Sequence, residues 1–401
     1  MLRLPWKRLS MFRLLPTLAA CSLTGGCMSQ VTLDRAVMAY NEATSDVLSK
    51  QSLVNIARSR HHQPIHFTGV SNIAATYNFQ FNAGATPALT GNSGGLMMPL
   101  FGASVAENPT ISIVPIEGEE FTKRLLTPFP ESKLTLLLRQ GADIDLVLRL
   151  LVGELRMHNE GNEEIAYYNR PLDRRGYPLF RRVVSHLSSI QDRNGLYVEP
   201  LMFQGRWSMP AEMVTADGFQ KLQQEFAVEY DAAARLYRLT KPVTGRIVIT
   251  NYDPDTLSNE ERMNMNDEAE KSPSNEISVD IRAGHPGGEY PFKGQFRLRS
   301  FHNVINFIGR DMGEDAEYDV PPDPRTPPVT ENPVHTLEMV ETDSRPGGGG
   351  LTVDYLGHYY TVKPETGYQW NQEGFRMLSQ LFQMTVTELP QIGVPSITIS
   401  K

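Results

Sequence analysis

Residues 75–82, Ala-Thr-Tyr-Asn-Phe-Gln-Phe-Asn, alternate strictly, with Tyr77, Phe79 and Phe81 at one parity and Thr76, Asn78, Gln80 and Asn82 at the other. A period of two belongs to an extended strand, whose successive side chains point to opposite faces. Residues 110–114, Thr-Ile-Ser-Ile-Val, repeat the alternation through Ile111 and Ile113, after a loop rich in Gly, Ala, Ser and Asn. That loop carries an apolar tip, Leu96, Met97, Met98, Leu100 and Phe101. An exposed patch of this kind favours contact with a membrane or a partner protein. Helical texture precedes and follows this hairpin, and the strand-helix-strand order at the C-terminus fits an α+β sheet covered by helices on one side.

Toward the N-terminus, residues 31–60 place Leu33, Val37, Tyr40, Val47, Leu48, Val54 and Ile56 near one face of a helix, with Asp34, Arg35, Glu42, Lys50 and Arg58 elsewhere. At 1.5 Å per residue such a helix covers about 45 Å. It suits a stalk, half of an oligomer seam or, most simply, a helix docked on its own domain. It ends in a stretch with His61, His62 and His66. Pro64 breaks their helical register and no carboxylate follows closely, so a solvated basic turn is expected rather than a metal site.

Toward the C-terminus, helices are expected at 119–126, 134–139, 143–157 and 179–190. In the third, Asp143 caps a face of Ile144, Val147, Leu148, Leu151 and Leu155. After Gly195 strands predominate, at 196–207, 235–239, 246–250, 277–282 and 295–299, with one helix at 216–226. Residues 242–245 read as the turn of a hairpin. Residues 253–276 are polar and acidic, an insertion with a solvated helix at 259–271, and 300–310 form a core helix. Residues 311–350 are a linker by composition, acidic, then proline-rich, then Gly347 to Gly350, with a candidate strand at 336–340. The chain closes with alternation over 351–362 about Gly357, a helix at 372–384 and a strand at 396–400.

The expected architecture is α+β: a long N-terminal helix and a helical subdomain, then a mostly antiparallel sheet covered by helices. Its segments are a signal at 1–26, a long helix at 27–62, the hairpin at 63–117, helices at 118–194, a β-rich subdomain at 195–310, the linker at 311–350 and a strand-helix-strand tail at 351–401.

The composition is that of a globular protein, 401 residues with 40% hydrophobic and 21% charged, and its net charge of -8 argues against nucleic-acid binding. Specific chemistry is missing from the sequence. Gly347 to Gly350 lack a following phosphate-loop lysine, and neither a Gly-x-Ser-x-Gly elbow nor a His-Glu-x-x-His motif occurs. His285 and Glu289 flank a Pro-Gly-Gly turn, which explains them better than catalysis does. Tyr359, Tyr360 and Trp370 could stack on sugars but suit a core. Glu261, Asp267, Glu268 and Glu270 read as a wet acidic loop. The expectation is a non-enzyme without cofactor or metal.

Residues 11–30, MFRLLPTLAACSLTGGCMSQ, carry an arginine-flanked apolar run opening into small residues and two cysteines. This resembles the export signal of bacterial lipoproteins, in which a diacylglycerol is attached to a cysteine that becomes the mature N-terminus. Cys27 follows small residues and leaves a comfortable apolar length. Cys21 follows Leu18-Ala19-Ala20, closer to the usual lipobox, and is the alternative. Met28 or Ser22 stands where the family's inner-membrane retention signal has Asp, which implies the outer membrane, facing the periplasm. Both of the 2 cysteines lie in this signal, so the mature chain has no disulfide.

Residues 33–40, 53–58, 64–68, 357–360 and 375–382 resemble a set of secreted bacterial proteins without known activity. That resemblance implies exported bacterial origin and no site. Three functions are expected in order: a structural or binding component of an envelope complex, working through other envelope proteins or self-association; an oligomeric pore subunit with Tyr77, Phe79, Phe81, Ile111 and Ile113 on its barrel strands; and an envelope hydrolase.

Overall fold

The computed structural model describes residues 15–87, 97–158, 163–313, 315–347 and 350–386, which fall into two units. Of these, the first unit holds 15–51 and 68–114 and the second holds 52–67 and 115–386.

The first unit takes most of helix α1 (Leu15–Arg60) and of strands β1 (Phe67–Pro87) and β2 (Met97–Ile116). The strands form a two-stranded sheet of their own. At 21 and 20 residues they far exceed the usual strand of about 5–6. The alternation read at 75–82 and 110–114 therefore marks only the middle of one strand and the end of the other. Residues 97–101 are likewise strand, not loop tip. Pro99 does not prevent this, because proline is tolerated at the start or edge of a strand. Within this unit α1 leaves Val37, Met38 and Val47 exposed.

The second unit begins at the last turns of α1, where Leu53, Ile56 and Ala57 are fully buried. It continues with α2 (Glu119–Leu126), α3 (Glu131–Leu138) and α4 (Ile144–Leu151). The Asp143 side chain caps α4 by accepting from the Asp145 amide at 2.9 Å. The long helix expected over 143–157 stops there: β3 (Val152–His158) follows directly and pairs with β4 (Glu164–Tyr168). Gly153 explains the break, since glycine is a poor helix former and a Cβ at this point would stand 3.2 Å from Arg299 Cγ.

Next come α5 (Gly176–Gln191), β5 (Tyr197–Pro210), α6 (Ala216–Glu225), β6 (Ala227–Asp231) and β7 (Leu236–Thr250). Residues 242–245 are not a turn; β7 runs through them, paired with β5. The hairpin lies one connection earlier, between β6 and β7. Asp231 Oδ1 accepts from the Ala233 and Ala234 amides there, and Arg235 adopts the left-handed conformation at φ 55.

The remaining elements are α7 (Asn259–Glu270), β8 (Glu276–Ile281), β9 (Phe292–Leu298), α8 (Phe301–Asp311), β10 (Met339–Thr342), β11 (Thr352–Tyr355), β12 (His358–Val362) and α9 (Trp370–Thr385). Residues 396–400 lie outside the described residues. The main sheet runs β4-β3-β9-β8-β7-β5, with β6 also on β7, and every pairing is antiparallel except β7 with β8. The fold is α+β with a mostly antiparallel sheet. β3 and β4 join the segment expected to be helical to the β-rich segment that follows it.

The two faces of this sheet differ by parity. Phe292, Phe296 and Leu298 of β9 and Ile277, Val279 and Ile281 of β8 are buried. Phe180 of α5 meets Phe296 edge-on with ring centroids 6.5 Å apart. The opposite parity is ionic: Glu276 accepts from Arg297 at 2.8 Å, and Lys293 reaches Glu268 of α7 at 2.7 Å. One face is thus packed and the other wetted, as alternation dictates for an antiparallel sheet.

Candidate functional site

Two places concentrate features that a stable globular body does not require of itself: the hairpin of the first unit and a buried charged cluster of the second.

The hairpin is held at its base by hydrogen bonds local in space and distant in sequence. In the first unit, the Gln51 side chain accepts from the Thr68 amide at 2.7 Å and donates to the Thr68 carbonyl at 2.9 Å. In the second unit, Asn55 does the same for His66, at 2.9 and 2.8 Å. Each amide side chain mimics a β-bridge, so α1 stands in for a neighbouring strand where β1 begins. Residues Gln51 and Asn55 are one helical turn apart, which matches the two-residue step along the strand. Phe67, 1% exposed, anchors this end against Phe382, with ring centroids 4.2 Å apart.

Of the expected contact residues, Leu96 lies outside the described residues. Met97, Met98, Leu100, Phe101 and Ile111 belong to β2, and Tyr77, Phe79 and Phe81 to β1. Ile113 is 67% exposed, whereas its neighbour Val114 is buried. Cys21 and Cys27 both fall within α1. Among the described residues no helix is long and apolar enough to cross a membrane.

The cluster in the second unit centres on Glu317, which is completely buried in the segment read as a linker. Its carboxylate accepts from the Tyr177 hydroxyl at 2.8 Å, the Thr336 hydroxyl at 2.9 Å and the Thr336 amide, with Arg149 and Arg181 at 3.4 and 3.5 Å. Burial pushes its pKa up, and Arg149, Arg181 and Thr336 outweigh that, holding it below the ordinary value. Arg149, also fully buried, donates to the carbonyls of Pro333 and Val334. Residues 315–336 are therefore strapped to α4 and α5, where composition alone suggests a free connector. The signal missed was Arg149 itself, a cation in the middle of Leu-Val-Leu-Arg-Leu-Leu.

Asp311, Glu317 and His335 bring ligand-type atoms within 4.8 Å of one another, the one such grouping among the described residues. Their oxygens are already engaged, since Asp311 accepts from the Glu317 amide at 2.6 Å and from His335 Nδ1 at 2.9 Å. A divalent ion would have to displace those bonds beside two arginines, so the donor set favours a structural role.

The remaining sequence candidates disperse. His61 Nε2 bonds the Tyr360 hydroxyl at 2.7 Å and His66 serves through its backbone. Tyr360 and Trp370, at 0% and 1% exposure, are core and present no sugar platform. Glu261 closes the capping box of α7 with Ser258, while Glu268 pairs with Lys293. His285 lies against Tyr252 in a turn where Gly284 and Gly287 have φ of 82 and 78. Compared with known proteins, the chain matches no family model, no curated protein and no solved structure.

Proposed function

We propose that this chain is a lipoprotein of the bacterial outer membrane that assembles with copies of itself, its β1–β2 hairpins joining edge to edge into a β-barrel across the bilayer. The observation that carries the reading is a sheet that has, among the described residues, two strands, each about 20 residues long. An isolated hairpin is marginal in water, and the edges of a two-stranded sheet offer backbone N–H and C=O groups to further strands. A barrel abolishes those edges, and about 9–11 residues per strand suffice for the bilayer. The sequence alternation at 75–82 supplies the apolar and polar parities such a wall needs. Val37, Met38 and Val47, left exposed on α1, add apolar surface that self-association would cover. The lipid would be carried by Cys27, with Cys21 as the alternative acceptor.

A second reading, an anchored subunit that binds another envelope protein through the hairpin, is favoured by the prolines of β2. Peptide N–H groups alternate between the two edges of a strand. Pro99, Pro109 and Pro115 are separated by even steps, so all three withdraw donors from the same edge. Where that edge faces outward, self-assembly pairs residues 100–108 between the prolines, enough to span a bilayer.

Conductance of the full-length protein in planar lipid bilayers separates the two. The pore reading expects stepwise channels that vanish when 76–114 are deleted. Silent bilayers from a protein shown to be inserted would leave the binding subunit.

A further inference from the structure

A cleft of about 690 Å³ opens in the second unit between α8 and the turn that follows β4. Asn303, Asn306, Phe307 and Arg310 line one wall, at the spacing that puts them on a single face of α8. Tyr168, Asn169 and Arg170 line the other, and Gly153 and Arg299 form the floor. Ligand pockets of this size hold small organic molecules.

The floor holds a cation short of a counter-ion. Arg299 is 8% exposed and its guanidinium donates only to backbone carbonyls, those of Arg149, Leu150 and Asn169 at 3.1, 3.3 and 2.6 Å. It lies 4.0 Å from the centroid of the Phe307 ring, and among the described residues it makes no ion pair. Carbonyl dipoles and a ring face compensate a charge less well than a carboxylate does. Burial accordingly pushes its pKa down to about 9. Glu317 and Asp315 oppose that shift without pairing with Arg299, whereas Arg149 and Arg181 lie within 3.4 and 3.5 Å of the Glu317 carboxylate.

Two further residues of the lining carry polar groups to spare. Asn169 is 2% exposed and donates its amide to the carbonyls of Arg149 and Val152, which fixes its orientation. Its Oδ1 then faces no donor and stays buried without a partner. Arg310 is exposed and engages no acid among the described residues. The two acids at the cleft are committed to its walls: Asp315 accepts from the Leu172 amide at 2.7 Å and pairs with Arg170, and Asp173 accepts from the Arg175 and Gly176 amides. Three arginines thus face two aspartates already in use.

We propose that this cleft binds a small anion that also carries a hydroxyl group, its charge held by Arg299 and Arg310 and its hydroxyl directed to Asn169 Oδ1. Asn303 and Asn306 contribute neutral amides along the α8 wall, as suits a hydroxylated acid such as an acidic sugar. The Asn306 side-chain oxygen already accepts from Ser59 at 2.7 Å, which leaves its NH₂ group for the ligand.

Titration calorimetry on the full-length protein in detergent tests the assignment, with glucuronate, glucose and inorganic phosphate as probes. Glucuronate should bind and glucose should not, and affinity should fall as salt rises. Arg310→Gln, at an exposed position and checked by an unchanged melting temperature, should weaken binding about tenfold. Arg299→Lys, which keeps the charge but loses the planar fork, should weaken it at least as much. Phosphate binding with the same dependence on Arg310 would support the anion site and assign it to phosphate-bearing ligands. The proposal is overturned if neither anion binds at millimolar concentration, if glucose binds as well as glucuronate, or if Arg310→Gln binds unchanged.

Discussion

The hairpin and the strap over 315–336 are opposites. In sequence the hairpin is regular, strictly alternating and easily read as strand, and among the described residues its sheet has two strands. The strap is rich in proline and acids, reads as a free connector, and is fixed by the most deeply buried charges in the second unit. Local periodicity reports conformation, whereas attachment depends on partners far away in the chain. The hairpin's conformation is written in its own alternation; the strap lacks a regular conformation and is fixed by its partners.

Breaking the strap should have the largest effect. Glu317→Ala leaves Arg149 and Arg181 buried without their shared carboxylate, and removing one side of a buried ionic cluster typically destabilises by about 3–5 kcal/mol. Urea unfolding should show that loss, and a change under 1 kcal/mol would mean that the strap contributes little. Next is the base of the hairpin: Asn55→Ala strands the amide of His66 and leaves its carbonyl to Arg58 at 3.3 Å, with an expected loss of about 1–3 kcal/mol and faster proteolysis near His66. Deleting 76–114 tests the other side of the contrast, since the hairpin should be dispensable to the unfolding midpoint of the second unit.

A smaller effect should appear at the α4 cap. Burial, reinforced by Asp145, raises the Asp143 carboxyl to about 6. Because the folded state holds this proton more tightly than the unfolded chain does, the group is neutral and harmless in acid. Its ionisation draws stability down as pH rises from the ordinary 3.8 toward 6. Asp143→Asn keeps an equally good cap and removes the charge. It should gain about 1–2 kcal/mol at pH 7 and lose that slope; an unchanged slope would place the titration elsewhere. The smallest effect is expected from Lys293→Ala, whose ion pair with Glu268 is exposed on both sides and contributes at most about 0.5 kcal/mol.

What could be read in the sequence follows the same division. The end of α1, the bounds of α2 and the core face of α8 were all readable, because each rests on a cap or a run of apolar residues at helical spacing. The passage from α4 into β3 was not, since Leu151 and Leu155 continue the helical spacing and only the pairing of β3 with β4 and β9 decides otherwise. Pro242 and Gly245 imitate a turn, and the long pairing of β7 with β5 overrides them. The cleft at Arg299 was invisible for a stronger reason: Gly153, Asn169, Arg299 and Arg310 come from four separate elements and connections, and no local pattern joins them.

Self-assembly through the hairpin is tested by the mass of the full-length protein extracted from membranes in mild detergent, measured by light scattering corrected for the micelle. A closed homo-oligomer is expected, falling to single chains when residues 76–114 are removed. A single chain in the intact protein, or an oligomer that survives the deletion, would contradict it.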